Sequence, residues 1–215
     1  VLHRAGDVAN GGPDSGAVAL PWWACPSPIA SLGVVALVSL AAALAIRPLA
    51  ISAFGDATGA LRTFLFALWL SGFLSPIVAL VQAAALSAIG WATLAMASAP
   101  PRFSRLFTLF LGGQAILALS GLWIAAVLWV RGGAHLTQPA DLAVPQGLDI
   151  FFSPTSPVLL AIAQTASVVH VAWFLFLVVG LPRATGMSRR AALAVGIAAW
   201  DSLVAAAAVR ALLLT

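Results

Sequence analysis

Lysine and glutamate are absent from this sequence: all ten basic side chains are arginine, all six acidic ones are aspartate, and charged residues make up only 7% of the chain. So little polar material could not cover the surface of a water-soluble globule of this length. The few charges sit at the ends of apolar runs instead of in one patch, which excludes a nucleic-acid footprint and reads as membrane topology signals. Cysteine is also nearly missing. Cys25 has no partner within the chain, no CxxC or CxxCH spacing and no apolar run upstream of it, so disulfide frameworks, thiol redox motifs and haem attachment are excluded. It reads as structural, with juxtamembrane acylation as the alternative.

Enzyme signatures are missing too. The chain has no G-x-S-x-G elbow, no phosphate loop and no pair of carboxylates at catalytic spacing. His3 and His135 lie in polar, glycine-bearing segments, and no His/Cys/Glu spacing supports zinc. "FLGGQ" (Phe110 to Gln114) lies inside an apolar run, where paired glycines permit close helix packing. No metal, no catalytic residue and no enzyme activity are expected.

Long apolar runs are what the sequence does have. Several reach the ~20 residues that a helix needs to cross a ~30 Å hydrocarbon layer. The expected fold is therefore all-α, a polytopic membrane bundle of five transmembrane helices plus an interfacial or re-entrant helix. Residues 1–27 read as a mobile tail with an interfacial "PWWACPSP" segment, and 28–215 as the membrane domain. Spans are expected at about 29–46, 76–98, 106–130, 157–181 and 191–214.

Two of those boundaries rest on proline. "RP" at Arg47 and Pro48 should stop the first span. The uncharged region Thr63 to Ala99 would be ~55 Å long as a helix, too long for one crossing. Ser75 and Pro76 suit an N-cap and first helical position and should divide it. "GALRTFLFALWLSGF" then becomes the interfacial helix, with a kinked single helix as the alternative. The loop from Arg131 to Pro157 is rich in proline, glycine and aspartate and should be irregular, with Phe151 and Phe152 dipping towards the surface.

Arginine in short loops sets orientation. Arg102 and Arg105 follow the second span, and Arg183, Arg189 and Arg190 follow the fourth, with no acid in either loop. The amino terminus is expected in the cytoplasm and the carboxyl terminus on the opposite side of an inner, cytoplasmic or intracytoplasmic, membrane. Arg47 and Arg62 pull the other way. These five loop arginines serve as topology anchors, with anionic lipid headgroups as possible ligands.

Several stretches together resemble a known family. "ATGALRTFLFALWLSGFLSPIVALVQAAALSAIGWATL", "RFSRLFTLF" and "VAWFLFLVVGLPRATGMSRRAALAVGIAAW" are similar to the bacterial type of the Yip family of five-span membrane proteins. The basic turn from Arg102 into Phe110, the aromatic span with Trp173, Gly180 and Leu181, and the "TGMSRRAAL" turn towards Trp200 carry the resemblance, over roughly residues 55 to 210. It implies five crossings, a cytoplasmic amino terminus and a scaffolding role. His170 and Asp201 stand where that family usually has aromatic or aliphatic residues.

Those two residues are the candidate site. Each lies about eleven residues from the inner end of its expected span, at a common depth of ~16 Å. Arg210 is nine residues beyond Asp201 and faces the other way round the helix. A short loop makes the two spans antiparallel neighbours, so His170 is the expected partner of Asp201 in a buried polar pair.

Three readings of the pair stay open. One is interhelical glue, a hydrogen bond worth ~0.6 to 2 kcal/mol. Another is pigment ligation, because "ASVVH" places Ala166 one turn before His170 as in the A-x-x-x-H pattern of antenna polypeptides, making a chlorophyll-type pigment the one conceivable cofactor and the chain a photosynthetic reaction-centre or antenna subunit. The third is a proton or ion path, in which only Gln82, Gln114 and Gln164 could take part as further strongly polar mid-span residues. Small residues dot the spans ("SLAAALAI", "LVAAAAVRA"), giving smooth faces for other helices. The function expected is a non-enzymatic scaffold or accessory subunit in a hetero-oligomeric membrane complex, whose partners are other membrane subunits and lipids.

Overall fold

The computed structural model describes residues 27–54, 58–97, 101–131, 139–142, 144–151 and 155–213. The expected tail with its Trp/Pro segment, Cys25, His3, His135 and Phe152 lie outside the described residues. Among the described residues there is no strand. The helices are α1 (Pro28–Phe54), α2 (Thr58–Ala97), α3 (Phe103–Arg131), α4 (Pro157–Thr165), α5 (Val168–Thr185) and α6 (Arg189–Leu213), with short 3-10 turns at Pro139–Leu142 and Leu148–Ile150. Five of these, all but α4, are long and apolar enough to cross a membrane.

Serine marks several of the helix starts. The Ser27 hydroxyl accepts from the Ala30 amide, that of Ser167 from the His170 amide and that of Ser188 from the Ala191 amide. Each satisfies one of the donors a helix leaves open at its first turn. α5 ends at Gly186, whose positive φ of 76° lets its amide turn back onto the Pro182 carbonyl at 2.9 Å.

Side-chain contacts fix how the helices run. Gly121 of α3 faces Ala42 of α1, and nearer their carboxyl ends the Trp129 indole donates to the Ala45 carbonyl at 3.0 Å, so α1 and α3 are parallel. α2 is antiparallel to α1, with Gly72 beside Ala43 and Phe64 against Phe54. α5 is antiparallel to α3, with Gly113 under Trp173 and Gly180 under Leu109. α6 returns along α5 and touches α2 where Val195 meets Gly90. The larger core, around Phe110, Trp173, Leu177 and Val195, joins α2, α3, α5 and α6. A second one, around Leu49, Ala53 and Leu128, joins the ends of α1 and α3 beneath Val144 of the long loop.

Three expected boundaries move. α1 does not stop at Arg47 and Pro48 but runs through to Phe54, because Leu49, Ala50 and Ala53 are buried and fraying there would expose backbone to lipid as well as lose that packing. α2 is not divided at Ser75. It is one helix of 40 residues, and the Ser75 hydroxyl donates to the Gly72 carbonyl at 2.8 Å instead of capping a new start. "GALRTFLFALWLSGF" is therefore the first half of α2, not a separate interfacial helix. At ~60 Å, α2 is twice the thickness of the hydrocarbon layer, and its first half runs beside the end of α1 past the level of Trp129.

The third change is the expected span 157–181. It breaks into α4 and α5 at Ala166 and Ser167, and α5 continues through Pro182 to Thr185.

Candidate functional site

Neither glycine nor proline breaks the helix between α4 and α5. Ser167 turns extended, with φ −96° and ψ 161°, and Ala166 takes φ −87° and ψ 50°. The Thr165 hydroxyl donates to the Ile162 carbonyl at 2.7 Å while Ser167 caps α5, so both hydroxyls are committed to local bonds that compete with a continuous helix. The long loop closes on the break from outside. Its Gly147 lies so near the carbonyls of Ala163 and Ala166 that a Cβ there would collide with them. Asp149 holds this loop: its buried carboxylate accepts from the amides of Gln146 at 3.1 Å and Gly147 at 2.7 Å.

His170 lies in the first turn of α5, just past the break. Its Nδ1 lies 2.8 Å from the Ser167 hydroxyl oxygen, which also accepts the His170 amide at 3.3 Å. We assign the hydroxyl proton to the Nδ1 contact, which puts the ring proton on Nε2. The ring meets Trp200 of α6 edge to face.

The expected buried pair does not form. Asp201 is exposed on the outside of α6, beside a shallow cleft of about 340 Å³ lined by Val171, Phe174, Ile197 and Trp200. Its carboxylate makes no hydrogen bond or ion pair with any described residue. The physical reason is register and rotation together. α5 overruns its expected end by one turn, so His170 is fifteen residues from Thr185 while Asp201 is twelve from Arg189, a stagger of ~4.5 Å. It is the Trp200 side chain that packs against His170, as well as Phe174, while its neighbour Asp201 turns outwards. Ala166 belongs to the end of α4, so it and His170 do not share the continuous helix that the A-x-x-x-H pattern requires.

His170 instead lines a second cleft, of about 410 Å³, together with Gln146, Gln164, Thr165 and Arg210. The sequence reading missed this grouping, because it depends on the break that brings α4, α5 and the long loop around one end of α6. The signal was Ser167 three residues before His170, which is capping spacing. The remaining mid-span glutamines line a third cleft, of about 380 Å³, between α1, α2 and α3, where Gln82 and Gln114 are joined by Ser39, Ser71 and Ser75. The buried Gln114 amide nitrogen has no hydrogen-bond partner among the described residues.

The loop arginines gather at one end of the bundle. Arg102, Arg105, Arg183, Arg189 and Arg190 are exposed, and Arg105 Nη1 donates to the Ala184 carbonyl at 3.5 Å, tying the start of α3 to the end of α5. No three metal-ligating side chains come together among the described residues. Comparison of the chain with protein-family models, with curated proteins and with solved structures finds no match in any of the three.

Proposed function

We propose that this chain is a non-enzymatic scaffold or accessory subunit of a membrane protein complex, and that the α5–α6 face carrying Asp201 is where a partner subunit docks. The supporting observation is Asp201 itself. Twelve residues from Arg189 put it ~18 Å into a ~30 Å layer, on the outside of the bundle and without a counter-group among the described residues. An aspartate in that position costs ~2.5 to 3.5 kcal/mol against lipid. A partner helix that brings a cationic or amide donor to the carboxylate removes that cost and gains a hydrogen bond. The flanking surface suits it: Val171 and Ile197 are exposed, and the alanines of α6 allow close approach.

A different subunit fits better than a second copy. A two-fold interface centred on this face would set Asp201 against Asp201, two like charges in a low-dielectric medium. The five arginines at one end favour placing that end, with the amino terminus, on the cytoplasmic side of an inner membrane. The scaffolding role implied by the Yip resemblance agrees with this reading.

The test is tagged full-length protein expressed in its native membrane and solubilised in mild detergent, as wild type, Asp201→Asn and Asp201→Leu. Asparagine can keep the hydrogen bond and leucine cannot. Wild type and Asn should elute as the same larger complex, and Leu as a lone 21.9 kDa chain in its micelle. Identical elution of all three would refute the docking role of Asp201. A larger species containing only this chain would replace the hetero-complex with a self-association.

A further inference from the structure

The cleft around Arg210 has a chemistry of its own, independent of Asp201. Four elements build it: Gln146 from the long loop, Gln164 and Thr165 from α4, His170 from α5 and Arg210 from α6. At about 410 Å³ it falls within the ~300 to 1,000 Å³ range of small-molecule sites. No carboxylate lines it. The closest acid along the chain, Asp149, is buried and already accepts the amides of Gln146 and Gly147.

Its lining is instead rich in donors. Arg210 carries a donor-only fork and has no hydrogen-bonding or ionic partner among the described residues. Gln146 and Gln164 each bring a side-chain amide that can turn its NH₂ to an anion. With the Ser167 hydroxyl assigned as the donor to Nδ1, the His170 ring proton goes to Nε2, and Ser167 itself lies outside the cleft lining. A guanidinium with amide and imidazole donors matches an anion that has several acceptor oxygens in tetrahedral array.

Depth narrows the choice. Arg210 is 21 residues beyond Arg189, a rise of ~32 Å, so it reaches the headgroup layer opposite the arginine-rich end. Phosphate is the abundant anion of that layer. We infer that this cleft is a phosphate-binding site, occupied by the phosphodiester of an anionic lipid or by free phosphate. Arg210 supplies the charge, and Gln164 and His170 supply direction from the break between α4 and α5.

The test is native mass spectrometry of the full chain released from detergent after titration with dioleoylphosphatidylglycerol or dioleoylphosphatidylcholine. One phosphatidylglycerol should be retained in preference to phosphatidylcholine. Arg210→Ala and Gln164→Leu should each weaken that retention, Arg210→Ala by about tenfold, the loss of one charge-assisted hydrogen bond. Arg131→Ala, at the exposed end of α3 on the same side, should leave it unchanged. If Arg210→Ala fails to fold, Arg210→Lys keeps the charge without the fork and should still weaken retention.

Adding inorganic phosphate separates the two sources. Displacement of the lipid by millimolar phosphate, with binding of phosphate alone lost in Arg210→Ala, assigns the site to the free anion. Retention against phosphate assigns it to the lipid. Equal losses in Arg131→Ala and Arg210→Ala would mean diffuse headgroup attraction, and wild-type retention in Arg210→Ala and Arg210→Lys would mean no site; either overturns the inference.

Discussion

The imidazole of His170 meets the indole of Trp200 edge to face, with ring centroids 6.2 Å apart and planes at 64°, and Phe174 meets the same indole at 5.6 Å. Trp200 thus links α6 to two successive turns of α5. Aromatic pairs of this geometry contribute ~0.5 to 1.5 kcal/mol each beyond the area they bury. Trp200→Leu keeps an apolar side chain and loses both pairs, so it should destabilise the bundle by ~1 to 3 kcal/mol. Trp200→Phe should cost less than half as much. Unfolding in mixed detergent micelles, followed by circular dichroism, measures both.

Glycine acts as a packing residue at the α3–α5 contact. A Cβ on Gly113 would lie 2.7 Å from Trp173 Nε1, and one on Gly180 would lie 2.9 Å from Leu109 Cδ1. Trp173 is fully buried and has nowhere to move, so Gly113→Ala should cost ~1 to 3 kcal/mol through overpacking. Gly33→Ala in α1 is the control. Nothing lies within 4 Å of a Cβ there, and alanine should stabilise the helix by ~0.5 to 1 kcal/mol. Opposite signs for the two variants in the same unfolding assay are the expected result.

Five apolar helices were legible in the sequence because bilayer thickness sets a length that composition alone reveals. Where they end was not: the expected boundaries at Pro48 and Pro76 do not exist, because α1 and α2 run through both prolines. Proline lacks the amide hydrogen and crowds the preceding turn; in water the freed carbonyls are solvated and a break costs little, whereas in lipid continuing the helix leaves fewer groups unsatisfied. The break at Ser167 was hidden for the opposite reason. "QTASVVH" contains no glycine or proline, and the break is sealed by Gly147, distant in sequence, sitting against the carbonyls of Ala163 and Ala166. The sequence singles out His170 and Asp201 as a pair, but α5 is apolar nearly all round, so it carries no stripe from which the residue packed on His170 could be read. That residue is Trp200.

The Gln114 side-chain amide nitrogen is buried without a hydrogen-bond partner among the described residues, in a cleft between α1, α2 and α3. An unsatisfied buried donor costs ~1 to 3 kcal/mol. Gln114→Met has nearly the same volume and no donor, so it should raise the unfolding free energy by about that amount. A lower value would show that Gln114 is satisfied by water or a bound molecule inside the cleft.

Ser167 performs two tasks with one hydroxyl. It caps α5 by accepting the His170 amide at 3.3 Å, and it holds His170 Nδ1 at 2.8 Å. Ser167→Ala removes both and should cost ~0.5 to 2 kcal/mol, whereas Ser167→Thr keeps an oxygen on Cβ and should cost less. Stability alone would not separate capping from control of the ring. Nitrogen-15 spectra of selectively labelled histidine can: with Ser167 present, the proton of neutral His170 should be fixed on Nε2, and in Ser167→Ala it should redistribute between the two nitrogens. The phosphate site should follow, because its imidazole donor is then present only part of the time. Retention of phosphatidylglycerol should fall in Ser167→Ala and recover in Ser167→Thr. A tautomer unchanged by Ser167→Ala would show that the Ser167 hydroxyl does not set the protonation site of the ring.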